Sequence, residues 1–389
     1  MDTTQLGVIA LLRSGITGER ADLPEQFDIE QAYSVLRHHG AVALGYVGAV
    51  NCGIDRQLPA MQKLRMDYAA CLFKSQAQMA AVEKLCRMFD SNGIDYMPLK
   101  GCNMKRLYPN HELRGMSDAD ILIRPEQYDK IRPIMQQLGF VEQTESDHEL
   151  HWSSKAVHME LHKRLIPITN RDYYRYYGDG WKMAKVREGF RHAMTDEDQF
   201  VYLFTHFAKH YRNGGGGCRH VVDLWVYLRH YSNLDMAYIR QELKVLELDA
   251  FFENMLALIA AWFGDGQWSP VTEFMSEVIF ANGNWGNAKT HSIAELLRKQ
   301  HKGDSAGRGK LRWLLWRVFP PCRALCGEYQ VLKKWPVLLP LVWIVRWVKT
   351  LFAHRNKIKR DLNILVETST EEIEAQERAL FYVGLKFEK

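Results

Sequence analysis

Two aspartates one residue apart, Asp118 and Asp120, lead into the apolar run Ile121-Leu122-Ile123. The alternation over 119–123 predicts a strand, and side chains two apart on a strand share a face. Paired carboxylates repel each other, and at the edge of a buried strand they are costly unless a cation lies between them. A divalent cation resolves both problems. Mg2+ takes hard oxygen ligands, commonly one or two carboxylates plus substrate phosphates, and Mn2+ suits the same donors. A third carboxylate, Glu160, sits in the alternating run Val157-His158-Met159-Glu160-Leu161-His162 and shares a face with His158 and His162. Three acids on adjacent strands could hold two such ions, the arrangement that clamps attacking and leaving oxygens in phosphoryl or nucleotidyl transfer. Upstream, Pro98-Leu99-Lys100-Gly101 reads as a strand running into a turn and a helix. A glycine there lets backbone N–H groups approach a phosphate, and a helix start favours an anion.

The elements that position these residues follow from periodicity. Helical spacing over 28–50 and over 59–92 ends at Asn92-Gly93, where the period shortens to the strand-like 96–99. A short helix over 102–108 is closed by Pro109, and a second runs from Pro125 to about Leu138, with Gly139 after it. Strand-like runs follow at 149–153 and 157–162, then helices at 196–212, 219–231, 235–264 with a break, 270–281 and 288–300. The expected organisation is a helical region over 1–92, a small α/β core over 93–195, a helical domain over 196–304 and a basic amphipathic tail over 305–389.

The 389 residues, 47% hydrophobic and 25% charged, are enough to bury a real core and exclude a disordered or low-complexity chain. Seven scattered cysteines form no small-domain disulfide framework, and no charged-then-apolar signal opens Met1–Gly15, so the reducing cytoplasm is the expected compartment. The net charge of +5 conceals an asymmetry: residues 308–360 carry 13 Lys and Arg against one acid, Glu328. That excess calls for a local explanation.

The set Leu99-Lys100-Gly101, Tyr108-Pro109, Arg114…Ser117-Asp118-Ala119-Asp120, Leu138-Gly139-Phe140 and Glu160-Leu161-His162 resembles a bacterial family of uncharacterised nucleotidyltransferases. The later His206…His210…Arg219…Asp223 pattern fits that family too. The resemblance spans roughly residues 30–350. It implies an α+β fold, with a small mixed-sheet core of the polymerase-beta-type nucleotidyltransferase kind flanked by helical regions. It also implies Asp118 and Asp120 as metal ligands, Glu160 as third ligand or general base, and Lys100 with Gly101 holding a nucleoside triphosphate. Arg114, Ser117 and Arg219 join them as candidate nucleotide contacts. The chain departs from the superfamily in its turn, Lys-Gly-Cys in place of Gly-Gly or Gly-Ser, and in a longer gap from Gly101 to Asp118.

Other features carry two readings each. His206 and His210 share a helix face and could bind metal or substrate, or serve structure alone. Arg219 could reach a phosphate, or pair with Asp223 one turn on. Trp152 could stack on a base or pack in a sheet. The tail over 308–352, with Trp313, Trp316, Trp343 and Trp347 among Arg346, Lys349 and other cations, fits a packed helix or an anionic membrane surface, and a nucleic acid less well. Its apolar run over 335–345 is too short to span a bilayer.

The expected activity is Mg2+-dependent transfer of a nucleoside monophosphate from a triphosphate to a small-molecule, glycan or peptide acceptor. The alternatives are a phosphotransferase using the same site and a non-catalytic nucleotide-binding protein.

Overall fold

The computed structural model describes residues 1–284, 286, 288–299, 306–326, 329–353 and 368–386. The basic run 355–360 and the side chains of Arg308, Lys310, Trp313 and Phe352 lie outside the described residues.

The fold is α+β: a seven-stranded mixed sheet embedded between helical regions. Helices α1 (Thr3–Thr17), α2 (Ile29–His38) and α3 (Val42–Asn51) precede α4 (Pro59–Ser91), whose 33 residues begin with Pro59 in the first turn. At 1.5 Å per residue, α4 is about 50 Å long. The 28–50 pattern divides at Gly40, whose φ of +60° suits glycine alone.

After α4 come β1 (Tyr96–Pro98), α5 (Lys100–Met104), β2 (Asp118–Ile123), α6 (Tyr128–Gln137), β3 (Val141–Glu145), β4 (Glu149–Ser153) and β5 (His158–His162). Helix α7 (Arg171–Tyr177) and the hairpin β6 (Lys185–Glu188) and β7 (Arg191–Ala193) complete this region. The strand order is β3-β4-β5-β2-β1-β7-β6, with β2 parallel to β5 and β1 parallel to β7.

Alternation divides the sheet into two faces. Ile121, Ile123, Leu150, Trp152, Met159 and Leu161 pack in one cluster with Val82, Leu85 and Phe89 of α4 and Ile131, Ile134 and Met135 of α6. Each such buried side chain contributes about 2 kcal/mol before entropy is counted. The sheet therefore has a rigid backing, and the polar residues of the same strands turn to the opposite face.

Over that opposite face lie α8 (Asp196–Arg212) and α9 (Cys218–His230). Thr195 caps α8 through the N–H of Asp198, and three acids fill its first turn. The glycine loop at 214–217 then reverses the chain. A Cβ at Gly217 would meet His39 Nδ1 at 2.5 Å, so the loop can close against α2 only with glycine there. The helices α10 (Met236–Val245), α11 (Asp249–Phe263), α12 (Pro270–Asn282) and α13 (Ala288–Lys299) follow. Met97, Leu99 and Leu122 of the sheet region share one apolar cluster with α1, α3, α8, α9 and α11. Helix α14 (Ala306–Val318) and, after three short turns of helix, Leu339–Ala353 and Thr370–Tyr382 lie in the tail.

Candidate active site

The register of β2 against β5 places Asp118 opposite His158 and Asp120 opposite Glu160. Gln78, buried on α4, donates to the carbonyls of Met116 (2.9 Å) and Ser117 (3.4 Å), fixing the entry into β2. Ser117 is half-buried at that entry.

The two aspartates have different surroundings. Asp120 Oδ1 receives Lys100 Nζ and His162 Nε2, each at 2.9 Å. Burial works to raise the Asp120 carboxyl, but Lys100 and His162 outweigh it and hold the group below the usual carboxylate range. The same pairing raises Lys100 against its own burial. The Asp118 carboxylate makes no hydrogen bond or ion pair among the described residues, and Lys74 and His158 act on it only through their charge. Burial first, then Glu160 and Asp120, push its carboxyl up. Glu160 lies 3.4 Å from His151 Nδ1 and 3.5 Å from His162 Nε2. Asp120, Glu160 and His162 offer donor atoms all within 4.8 Å of one another.

The strand register thus brings Asp118, Asp120 and Glu160 to one face, with Asp118 outside the closest group of donors, Asp120, Glu160 and His162. Carboxylate oxygens of this kind suit a hard divalent ion.

The turn residues also make contacts within the protein. Lys100 faces Asp120, and its φ of +32° is a strained value for a non-glycine residue. Gly101 is buried: a Cβ there would meet Met116 Sδ at 2.6 Å and Arg114 Nη1 at 3.0 Å. Any larger residue there would have to displace the Met116 and Arg114 side chains. Helix α5 has five residues, too few for a developed dipole.

Arg114 is fully engaged elsewhere. Its Nε and Nη2 each donate to Asp223 at 2.8 Å, and Tyr108 Oη donates to Asp223 Oδ1 at 2.8 Å. Asp223 therefore pairs with Arg114 across the fold. Arg219 instead gives one N–H to the Gly115 carbonyl at 2.9 Å, while its buried Nε has no hydrogen-bond partner.

His206 and His210 bond each other through their Nε2 atoms at 3.2 Å. Burial, then Lys100 and Lys209, push His206 well below its ordinary value, and burial, Lys209, His220 and Lys100 do the same to His210. Both are neutral at pH 7. Trp152 is buried on the apolar face, in the core packed on α4 and α6, which excludes it as a base platform here.

Two residues escaped the sequence reading. Tyr202 on α8 is 1% exposed, with a buried hydroxyl lacking a partner, near enough to Lys100 for their charges to interact. Glu149 on β4 lies 2.9 Å from His148 Nε2 and 3.2 Å from His151 Nε2. Burial works to raise Glu149, but His148 first, then His162 and His151, outweigh it and hold the carboxyl down at about 2. The Glu149-x-His151 spacing repeats that of Asp118-x-Asp120 and was the available signal. A cavity of about 490 Å³ between α4, α5 and the β6–β7 hairpin contains none of these residues.

A family model described as uncharacterised nucleotidyltransferase matches residues 25–264, more than half of the chain. No curated protein and no solved structure gives a significant match.

Proposed function

The chain belongs to the family of uncharacterised nucleotidyltransferases, and on that premise we propose that it moves a nucleoside monophosphate from a triphosphate to an acceptor, releasing pyrophosphate. The carrying observation is Asp118, a carboxylate in no ion pair among the described residues and on the same face as Asp120 and Glu160, whose charges raise it. These three would hold Mg2+, or Mn2+ in its place, which supplies charge neutralisation to the triphosphate when bound.

Lys100 and His162 keep Asp120 ionised and oriented. We assign Glu160 the acceptor's proton. The acceptor oxygen forms its bond to the α-phosphorus as the bond to the pyrophosphate oxygen breaks, and the electron pair leaves with pyrophosphate. Arg219 has guanidinium N–H groups beyond the one given to Gly115, and we assign it to the phosphates together with Lys100. Arg114 acts as a positioning residue through Asp223. Gly101 and Ser117 shape the turn and the strand entry through which these contacts are made.

The test incubates the full chain with Mg2+, cell extract and triphosphates labelled at the α or the γ position. Label from the α position should appear in an acceptor, and Asp118→Asn should abolish it. Transfer of γ label would replace the reading with phosphoryl transfer. Triphosphate binding without any transfer would make the chain a binding protein.

The tail belongs to the same proposal as a support on an anionic membrane surface. Leu341, Ile344, Val345 and Val348 are exposed at the spacing of one helix face, and Trp335 and Val337 before them are 61% and 78% exposed. Lys333 and Lys334 are exposed beside them. Trp343 and Trp347 turn inward instead, donating to the carbonyls of Pro320 and Val318, and Arg346 donates to that of Arg317. No described helix is long and apolar enough to cross a membrane, so such a contact would be interfacial. The full chain should sediment with anionic vesicles at low salt and much less with neutral ones. Lys333→Glu with Lys334→Glu should weaken it; equal binding to both vesicle types would discard the membrane role.

A further inference from the structure

Strand β4 carries a second set of metal-type donors on the same face as the carboxylates, and the proposed reaction does not use it. Glu149 Oε1 lies 3.2 Å from His151 Nε2, and His151 Nδ1 lies 3.4 Å from Glu160 Oε1. Glu149, His151 and Glu160 each offer one donor atom within 4.8 Å of the others.

A second observation concerns His162, whose side chain is 2% exposed. Its Nε2 meets Asp120 at 2.9 Å. Its Nδ1 is buried, has no hydrogen-bond partner, and faces Glu149 Oε2 at 3.9 Å, so an unpartnered nitrogen borders the set.

We propose that Glu149, His151 and Glu160 form a binding site for a divalent transition cation of the Zn2+ class, beside the hard-cation site at Asp118 and Asp120 and sharing Glu160 with it. The donor set is two carboxylate oxygens and one imidazole nitrogen. Imidazole selects Zn2+ and its neighbours, whereas Mg2+ takes oxygen. The surroundings resemble those of a metal centre. His148 supports Glu149 at 2.9 Å and is itself held by Asp147 at 3.3 Å, as outer-shell partners orient ligands. The set spans adjacent strands, β4 and β5, whose pairing puts His151 opposite Glu160 and Glu149 opposite His162. Rigid strands fix these positions before any ion arrives. Because Glu160 and His162 both contact the Asp120 region, an ion here orients the face on which Asp120 lies. The inference rests on this geometry; its ion would share Glu160 with the transfer reaction, so the test reads metal binding and not transfer.

The test uses Co2+ as a visible probe and Zn2+ as competitor on the full chain. Wild type should develop a saturable visible absorption band with Co2+, displaced by stoichiometric Zn2+ and unaffected by millimolar Mg2+. His151→Ala and Glu149→Gln should each weaken Co2+ affinity by more than about 100-fold, beyond the loss typical of an outer-shell change. His151 is partly exposed, so its replacement leaves the fold intact, which the melting temperature without metal checks. Asp118→Asn should keep the band. No band in wild type overturns the site. Loss of the band in Asp118→Asn equal to that in His151→Ala also overturns it, because a single centre at Asp118 and Asp120 would then account for all binding.

Discussion

Two charged clusters lie on either side of the β2 entry, and they are built on opposite principles. In the first, Arg114 meets Asp223 through two parallel bonds of 2.8 Å, and Tyr108 completes the carboxylate. Both ionic side chains are almost wholly buried, and their charges cancel. In the second, Asp118, Asp120 and Glu160 face Lys100 and His162, and the Asp118 carboxylate makes no ion pair among the described residues. The completed cluster joins β2's approach to α9; the incomplete one presents charge to a ligand. A full set of ion pairs reads as structure, and a carboxylate left out of them is a candidate for function. Arginine count alone does not separate the two, since Arg114 looked equally apt for phosphate.

Breaking the first cluster should have the largest effect. Asp223→Asn leaves Arg114 buried and unpaired, and removing one partner of a buried pair costs about 3–5 kcal/mol. Denaturant unfolding should show that loss. Replacing both partners, Arg114→Met with Asp223→Leu, should recover part of it, because the uncompensated charge is gone. A loss under about 1 kcal/mol from Asp223→Asn would contradict the structural role. Restored stability should leave metal binding at Asp118 intact, which separates the two clusters directly.

The contrast also explains what the sequence could disclose. Strands β2 and β5 alternate because one face is backed by α4 and α6, so Asp118, Asp120 and Glu160 were legible as a set on one face. Helix α8 announced itself through Thr195 and its acidic first turn, and its limits, 196–212, coincide with those expected. Strand β3 and the β6–β7 hairpin gave no comparable signal: β6 is exposed at every residue, and β3 at most of its own, so no face selects apolar side chains. Helix α1 was missed because its core contacts include Val8, Ile9, Leu11, Leu12, Ser14 and Gly15, which blurs a one-sided period. The Arg114–Asp223 pair joins residues more than a hundred apart, and local spacing instead offered Arg219 as the partner. Tertiary packing alone decided between them.

Asp120→Asn comes next in size. It removes the anion to which Lys100 and His162 donate, an expected loss of about 1–3 kcal/mol, together with Mg2+-dependent triphosphate binding. The folded carboxyl is held below its ordinary value, so its stabilisation is fully present above about pH 4, the unfolded value, and is lost as pH falls through the folded value. Unfolding free energies of wild type and variant should therefore differ by a constant amount from pH 5 to 8 and converge in acid. Convergence on the alkaline side would assign the pairing to another group.

Asp118→Asn should have the smallest effect on stability, and in the opposite direction. Burial and the neighbouring Glu160 and Asp120 raise this carboxyl above its unfolded value. Ionised Asp118 thus disfavours the folded protein at neutral pH, and that penalty disappears as pH falls through the unfolded value, where the group is protonated in both states. The asparagine variant should melt slightly higher than wild type at pH 7, by about a few tenths of a kcal/mol because solvent screens a half-exposed group. The gain should vanish in acid. Metal affinity follows the opposite course: wild type should bind Mg2+ more weakly as pH falls through the raised value of Asp118, since protons compete for the same oxygens. The variant should bind poorly at every pH. Calorimetric titration with Mg2+ between pH 5 and 8, paired with melting curves of both proteins without metal, checks the two signs together. A variant that melts lower than wild type at pH 7, yet keeps wild-type metal affinity, would show that Asp118 is paired in solution and would remove the incomplete cluster from the comparison.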